Sequence, residues 1–176
     1  MTKGEFRPIA LIGLMGAGKT TVARLLGEWL AVSVADLDAM IEAEEGRPIA
    51  ELFEREGEPY FRQRERESLE RLSAARIGVV ACGGGVVLDP QCRELLRTHY
   101  RVVWLLATAT VAAGRLKSHA AERPLLAGGD LVERLGELLE SRRKAYEETA
   151  TLRVETGGRD SGSVTRAVLD ALGEPR

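Results

Sequence analysis

The octapeptide GLMGAGKT, Gly13 through Thr20, is the stretch of this chain best equipped for chemistry. A short apolar run precedes it and a helical pattern follows. It matches G-x-x-x-x-G-K-[ST], the phosphate-binding loop. Glycine has no Cβ, so the backbone can curl until successive N–H groups converge on phosphate oxygens. The start of the following helix adds a positive partial charge. Lys19 would bring a full charge to the β- and γ-phosphates, and the Thr20 hydroxyl would ligate Mg2+. Of the 25 basic residues only four, Lys3, Lys19, Lys117 and Lys144, are lysines, so Lys19 is an unusual choice for this chain. Gly16, Ala17, Gly18, Lys19, Thr20 and Thr21 are therefore candidates for holding a nucleoside triphosphate. The loop alone does not separate a kinase from a hydrolase or a switch.

Several other groups could face that loop. Asp36 and Asp38, in ADLDAM, close a short apparent strand. At spacing two in extended chain both carboxylates share one face. One could support the metal while the other orients an acceptor hydroxyl and takes its proton. The competing reading makes Asp38 a helix N-cap and leaves Asp36 in a loop. In FRQRERE (61–67), Arg62 follows Tyr60 and Phe61, near an inner face where a guanidinium needs an anion. A plain surface arginine stays open there. Arg64 and Arg66 read as a solvated face with Glu65 and Glu67. Gly83, Gly84 and Gly85 either let a ligand approach the backbone closely or form a tight turn. Arg123, in AERPLLAGG, stands in a polar loop that reads as a lid. Closed, it would set Arg123 against the transferring phosphoryl group; a surface loop arginine is the alternative.

These groups need a frame to hold them. Residues 7–13, 32–38, 101–107 and 151–156 read as strands, and 77–85 as a buried strand running into a glycine loop. Residues 20–31, 38–46, 48–57, 58–76, 89–99, 131–150 and 161–173 read as helices, with Asp89 as a cap and Pro90 in a first turn. Residues 110–130 begin helical and then become a loop. Alternating strand and helix predicts an α/β fold with a parallel sheet covered on both faces, its ligands beyond the carboxyl ends of the strands. A length of 176 residues suits one domain. Composition is 44% apolar and 30% charged, ordinary for a soluble globular chain, and a formal charge of −2 does not favour nucleic acid as a partner. No apolar run approaches about 18 residues, so no membrane span is expected. The start, MTKGEFRP, has no signal core, which predicts a cytoplasmic protein. Cys82 and Cys92 read as two reduced thiols.

Six motifs taken in order resemble the shikimate kinase family over nearly the whole chain. They are G-x-x-G-x-G-K-T at 13–20, D-L-D at 36–38, F-R-x-x-E at 61–65, G-G-G-V at 83–86, R-P-L-L at 123–126 and R-x-x-x-Y at 142–146. The resemblance implies a nucleoside-monophosphate-kinase-like P-loop kinase, an α/β three-layer sandwich with a five-stranded parallel sheet in the order 2-3-1-4-5. It implies one kinase domain over 1–176, with substrate-binding helices at about 37–76 and a lid at about 114–127. ATP and Mg2+ would be the cofactors and shikimate the partner, phosphorylated on its 3-hydroxyl in the chorismate route to aromatic amino acids. A monomer is implied.

Carried over residue by residue, Lys19, Asp38 and Arg123 are the catalytic candidates. Asp38 would bind shikimate hydroxyls and be the base, and Asp36 would support magnesium through water beside Thr20. Arg62 and Arg142 would clamp the shikimate carboxylate, and Gly83, Gly84 and Gly85 would touch its ring hydroxyls. Arg142 is preferred to the adjacent Arg143 on its spacing to Tyr146. An arginine should contact adenine: Arg115 is a candidate, and Arg159, in TGGRDSG after the last strand, lies near the expected adenine loop. Two rivals remain at this point: another small-molecule kinase, such as a gluconate or nucleotide kinase, and a non-enzymatic nucleotide switch.

Overall fold

The computed structural model describes residues 6–116 and 130–173. In chain order the elements are β1 (Ile9–Ile12), α1 (Lys19–Leu30), β2 (Val34–Asp36), α2 (Leu37–Glu45), α3 (Ile49–Arg55), α4 (Glu58–Ala74), β3 (Val79–Ala81), a 3-10 turn (Val86–Leu88), α5 (Pro90–His99), β4 (Arg101–Leu106), α6 (Ala109–Leu116), α7 (Leu131–Thr149), β5 (Leu152–Glu155) and α8 (Ser161–Leu172). Arg123 and most of the expected lid lie outside the described residues.

The strands form one sheet in the order β2-β3-β1-β4-β5, every pair parallel. This is the order that the family resemblance implied. Central strands of such a sheet are covered on both faces and must be apolar throughout. β1, IALI, and β3, VVA, are buried at every position, and β4, RVVWLL, at its four central ones. The two outer strands carry charge instead: Asp36 in β2, Arg153 and Glu155 in β5. Short, charged edges of this kind resist pairing with a further strand.

Register decides where the functional groups emerge. Leu11 of β1 pairs with Ala81 of β3, and Ala81 pairs with Asp36 of β2. The three strands therefore finish level. The loop opening at Gly13, the start of α2 and the glycines after Cys82 all leave the sheet at one edge.

Among the described residues aspartates start four helices: Asp36, Asp89, Asp130 and Asp160 accept backbone N–H bonds at the heads of α2, α5, α7 and α8. The first of these corrects the sequence reading. The two carboxylates of DLD do not share the face of an extended strand, because α2 begins immediately after Asp36. Asp36 is the cap, its Oδ1 accepting from the Ala39 amide at 3.1 Å, and Asp38 sits in the first turn of α2. β3, Val79–Ala81, runs into its glycine loop as expected of 77–85. The chain leaves the sheet at Cys82 and tightens through Val86 N to Gly83 O and Leu88 N to Gly85 O bonds.

Helices α2, α3 and α4 are tied together by ion pairs. Glu45, at the end of α2, accepts from Tyr60 Oη at 3.1 Å and Arg64 Nε at 2.6 Å. Arg47 bridges Glu45 and Glu56, and Arg71 of α4 pairs with Glu44.

Leu11 has no exposed surface and lies between two neighbouring strands. Leu11→Ala should cost about 2–5 kcal/mol, a fall in melting temperature of roughly 5–15 °C by calorimetry. A change under about 2 °C would mean that this strand is not the packed centre described here.

Candidate active site

The level strand ends enclose a cavity of about 700 Å³. On one side lies the phosphate-loop sequence. Gly18 caps α1 with φ +94°, a left-handed conformation that side chains rarely adopt. No side chain caps α1 and no acidic residue stands in its first turn, in contrast to the four aspartate-capped helices. With no acidic group at its head, α1 turns the positive end of its dipole to the cavity, where an anion is favoured. Lys19 Nζ donates to the Gly13 and Leu14 carbonyls at 2.9 and 3.1 Å, which draws the ammonium back across the loop. This half of the cavity fits a polyphosphate.

Beside it, Thr20 Oγ1 donates to Asp36 Oδ2 at 2.6 Å. A hydroxyl and a carboxylate are hard oxygen donors of the sort magnesium takes. Among the described residues no three His, Cys, Asp or Glu side chains gather into a metal cage. The pair therefore fits a cation that keeps waters and phosphate oxygens as its remaining ligands.

The other half of the cavity is built around two carboxylates and two arginines. Arg62, on α4, donates through Nη1 to Glu65 Oε2 at 2.6 Å and through Nε and Nη2 to Glu58 Oε1 at 3.1 and 2.9 Å. Glu65 is fully buried, not part of the solvated face expected of RERE. Its Oε1 has no hydrogen-bond partner among the described residues. A Cβ on Gly83 would stand 2.6 Å from that oxygen and 2.6 Å from Asp38 Oδ1, so both carboxylates close over this glycine. A Cβ on Gly85 would collide with the Arg62 guanidinium. Close approach of side chains, rather than turn geometry, is what these glycines permit. Burial pushes Glu65 up to about 7, and the nearby Asp38 charge adds to the rise, while Arg62 and Arg142 oppose it.

Arg142, on α7, is buried and its Nη1 donates to the Gly84 carbonyl at 3.1 Å. Arg143 points to solvent and pairs with Glu140. The helix phase thus brings in the arginine chosen on spacing. Phe53 and Phe61, with ring centroids 4.9 Å apart, give the cavity an apolar wall.

Of the residues singled out in the sequence, Gly16, Gly18, Lys19, Thr20, Thr21, Asp36, Asp38, Arg62, Gly83, Gly84, Gly85 and Arg142 line this one cavity. Ala17 is buried and does not line it. Arg159 is exposed in the turn after β5 and does not line it either. Arg115 instead ties that turn to the phosphate loop, donating to the Gly16, Ala17 and Thr156 carbonyls at 3.3, 3.2 and 2.8 Å. Glu65 was missed as a cavity residue. Its position three after Arg62, one helical turn on, was the available signal.

The shikimate kinase family model matches residues 15–173. The chain belongs to the shikimate kinase family. A shikimate kinase of Rhodococcus jostii is 39% identical over 164 residues, 93% of this chain and 96% of its own length. One from Mycobacterium avium is 43% identical over 162 residues, 92% of this chain and 91% of its own. The solved structure of Acinetobacter baumannii shikimate kinase in complex with shikimate matches with a TM-score of 0.91 at 35% identity, covering 95% of this chain and 93% of that one. The family and the sheet order read from the sequence are both borne out.

The raised Glu65 group gives a pH test for this shikimate kinase family member. Its folded value lies above that of an ordinary glutamate, so the native state holds the proton more tightly than the unfolded chain. That stabilisation is complete below about pH 4.5 and is lost as pH rises through about 7. Glu65→Gln removes the titration. The melting temperature of the wild type minus that of Glu65→Gln should therefore fall across this window and level off above it. A difference that stays flat from pH 4.5 to 8 would mean that Glu65 titrates as an ordinary carboxylate.

Proposed function

We propose that this chain transfers the γ-phosphoryl group of ATP to the 3-hydroxyl of shikimate, giving shikimate 3-phosphate and ADP. The observation that carries the reading is the joining, in one cavity, of a bare helix start with Lys19 to an acid-sized pocket. In that pocket Arg62 and Arg142 converge from two helices beside Asp38. Family membership supports the same substrate.

Each residue then has a task. The amides of Gly16, Ala17, Gly18, Lys19, Thr20 and Thr21 hold the phosphates, and Lys19 neutralises charge that builds during transfer. Arg62 and Arg142 bind the shikimate carboxylate, for which a planar guanidinium offers a two-pronged fit. Arg62 is already paired with Glu58, the more exposed of its two partners, and the substrate carboxylate takes that place. Phe53 and Phe61 wall the carbocycle. Amides of Gly83, Gly84 and Gly85 and the Asp38 carboxylate receive the ring hydroxyls. The 3-hydroxyl oxygen bonds to the γ-phosphorus as the bond to the β–γ bridging oxygen breaks, and the hydroxyl proton passes to Asp38. Thr20 and Asp36 would hold magnesium, which when bound offsets phosphate charge and orients the chain of phosphates.

Arg123 lies outside the described residues and is proposed as the lid arginine that meets the phosphates. The adenine side is proposed to lie at the turn holding Arg159, with Arg115 fixing that turn to the loop. Helices α2 to α4 form the acid-binding part of a single kinase domain, and residues at about 114–127 form its lid. Among the described residues no helix is long and apolar enough to cross a membrane; a cytoplasmic monomer that does not bind nucleic acid is proposed.

ADP release measured with shikimate, gluconate, nucleoside monophosphates or no acceptor tests the reading. Turnover should require shikimate. Slow ADP release indifferent to shikimate would fit a switch, and preference for gluconate would fit the other rival. Lys19→Ala should lower kcat/KM by on the order of a thousandfold, and wild-type turnover in that variant would remove the loop from the mechanism. Arg62→Ala should raise the KM for shikimate by roughly ten- to a hundredfold while leaving that for ATP within about twofold. Equal losses for both substrates would displace the acid from Arg62.

A further inference from the structure

We propose that the Tyr146 hydroxyl is a positioning group for acid binding. It holds the Gly84 carbonyl so that Arg142 and the 83–85 amides stay turned into the cavity. The inference rests on the reading above, in which Arg142 and this loop receive the substrate.

Arg142 and Tyr146 are four residues apart on α7 and so lie on one face, a turn from each other. Both are buried, and both donate to one acceptor, the carbonyl oxygen of Gly84. A carbonyl has two lone pairs and can serve both. Tyr146 thus fixes the atom on which Arg142 rests. With Arg142 alone, one 3.1 Å contact would have to set both the guanidinium and the glycine turn. With the phenol added, the turn is held from a second direction and the guanidinium is braced against a fixed oxygen.

The phenol is itself held by the sheet. Its ring stacks on Trp104, centroids 5.3 Å apart and planes 24° apart. Trp104 belongs to β4 and pairs in register with Ile12 of β1. A continuous line of contact therefore runs from the sheet through Trp104 and Tyr146 to Gly84 and Arg142. Burial pushes the Tyr146 phenol up to about 12, so it remains a donor throughout the working range of the protein.

Tyr146→Phe keeps the stacked ring and removes a single oxygen. The KM for shikimate should rise roughly three- to tenfold, the loss of one hydrogen bond's contribution, while the KM for ATP stays at the wild-type value. Because the hydroxyl acts partly through Arg142 and partly through the 83–85 amides, adding Tyr146→Phe to Arg142→Ala should raise the shikimate KM by a smaller factor than Tyr146→Phe does alone. Four results would overturn the inference: an unchanged shikimate KM, equal rises in both KM values, full additivity with Arg142→Ala, or a Tyr146→Phe protein that does not fold. A wild type without shikimate-dependent ADP release would overturn the functional reading, and this inference with it. Shikimate-dependent wild-type turnover with an indifferent Tyr146→Phe would sink the inference alone.

Discussion

Taking a carboxylate out of water costs several kcal/mol unless a cation and hydrogen bonds replace the water it loses. Glu65 has no exposed surface, and Arg62 provides the cation at 2.6 Å. Much of the acid-binding half of the cavity follows from that pairing. It sets the guanidinium against Gly85 and the Glu65 carboxyl against Gly83, where a Cβ would make the side-chain ends give way. It also places a second acid beside Asp38, so two carboxylates share a small space with two arginines. Of the two acids that Arg62 holds, Glu65 is fully buried while Glu58 is half-exposed.

The opposite half is governed by an omission. Where α2, α5, α7 and α8 spend an aspartate on their leading amides, α1 offers only glycine and lysine. The level register of β1, β2 and β3 then sets this empty helix head beside Asp36 and the glycine turn. The helix head and the pocket proposed for the acid adjoin because three parallel strands end together.

Much of this was legible in the sequence. Unbroken apolar runs identified β1, β3 and β4, and charged outer strands fit the edges. Asp89 and Pro90 marked the start of α5, and the phosphate loop announced itself by pattern and flanks. Helix phase was harder to read. FRQRERE alternates charge at nearly every position, so it carries no apolar rhythm to show that Glu65 turns inward while Arg64 turns out to Glu45. The aspartates of DLD exchanged places because two residues of extra helix, Leu37 and Asp38, move the cap from 38 to 36. The exposure of Arg159, and the bond network of Arg115 beside it, depend on how the turn after β5 folds back on the loop after β1, a long-range contact that no local pattern reports.

The clasp of Glu44, Glu45, Arg47, Arg64 and Arg71 that binds α2, α3 and α4 lies near the surface, where dissolved ions compete for the same charges. The sheet and the helix head beside it are held by hydrocarbon and backbone bonds, which such ions scarcely touch. Ionic strength thus acts mainly on how α2, α3 and α4 are held to one another, and far less on the buried pairing of Arg62 with Glu65.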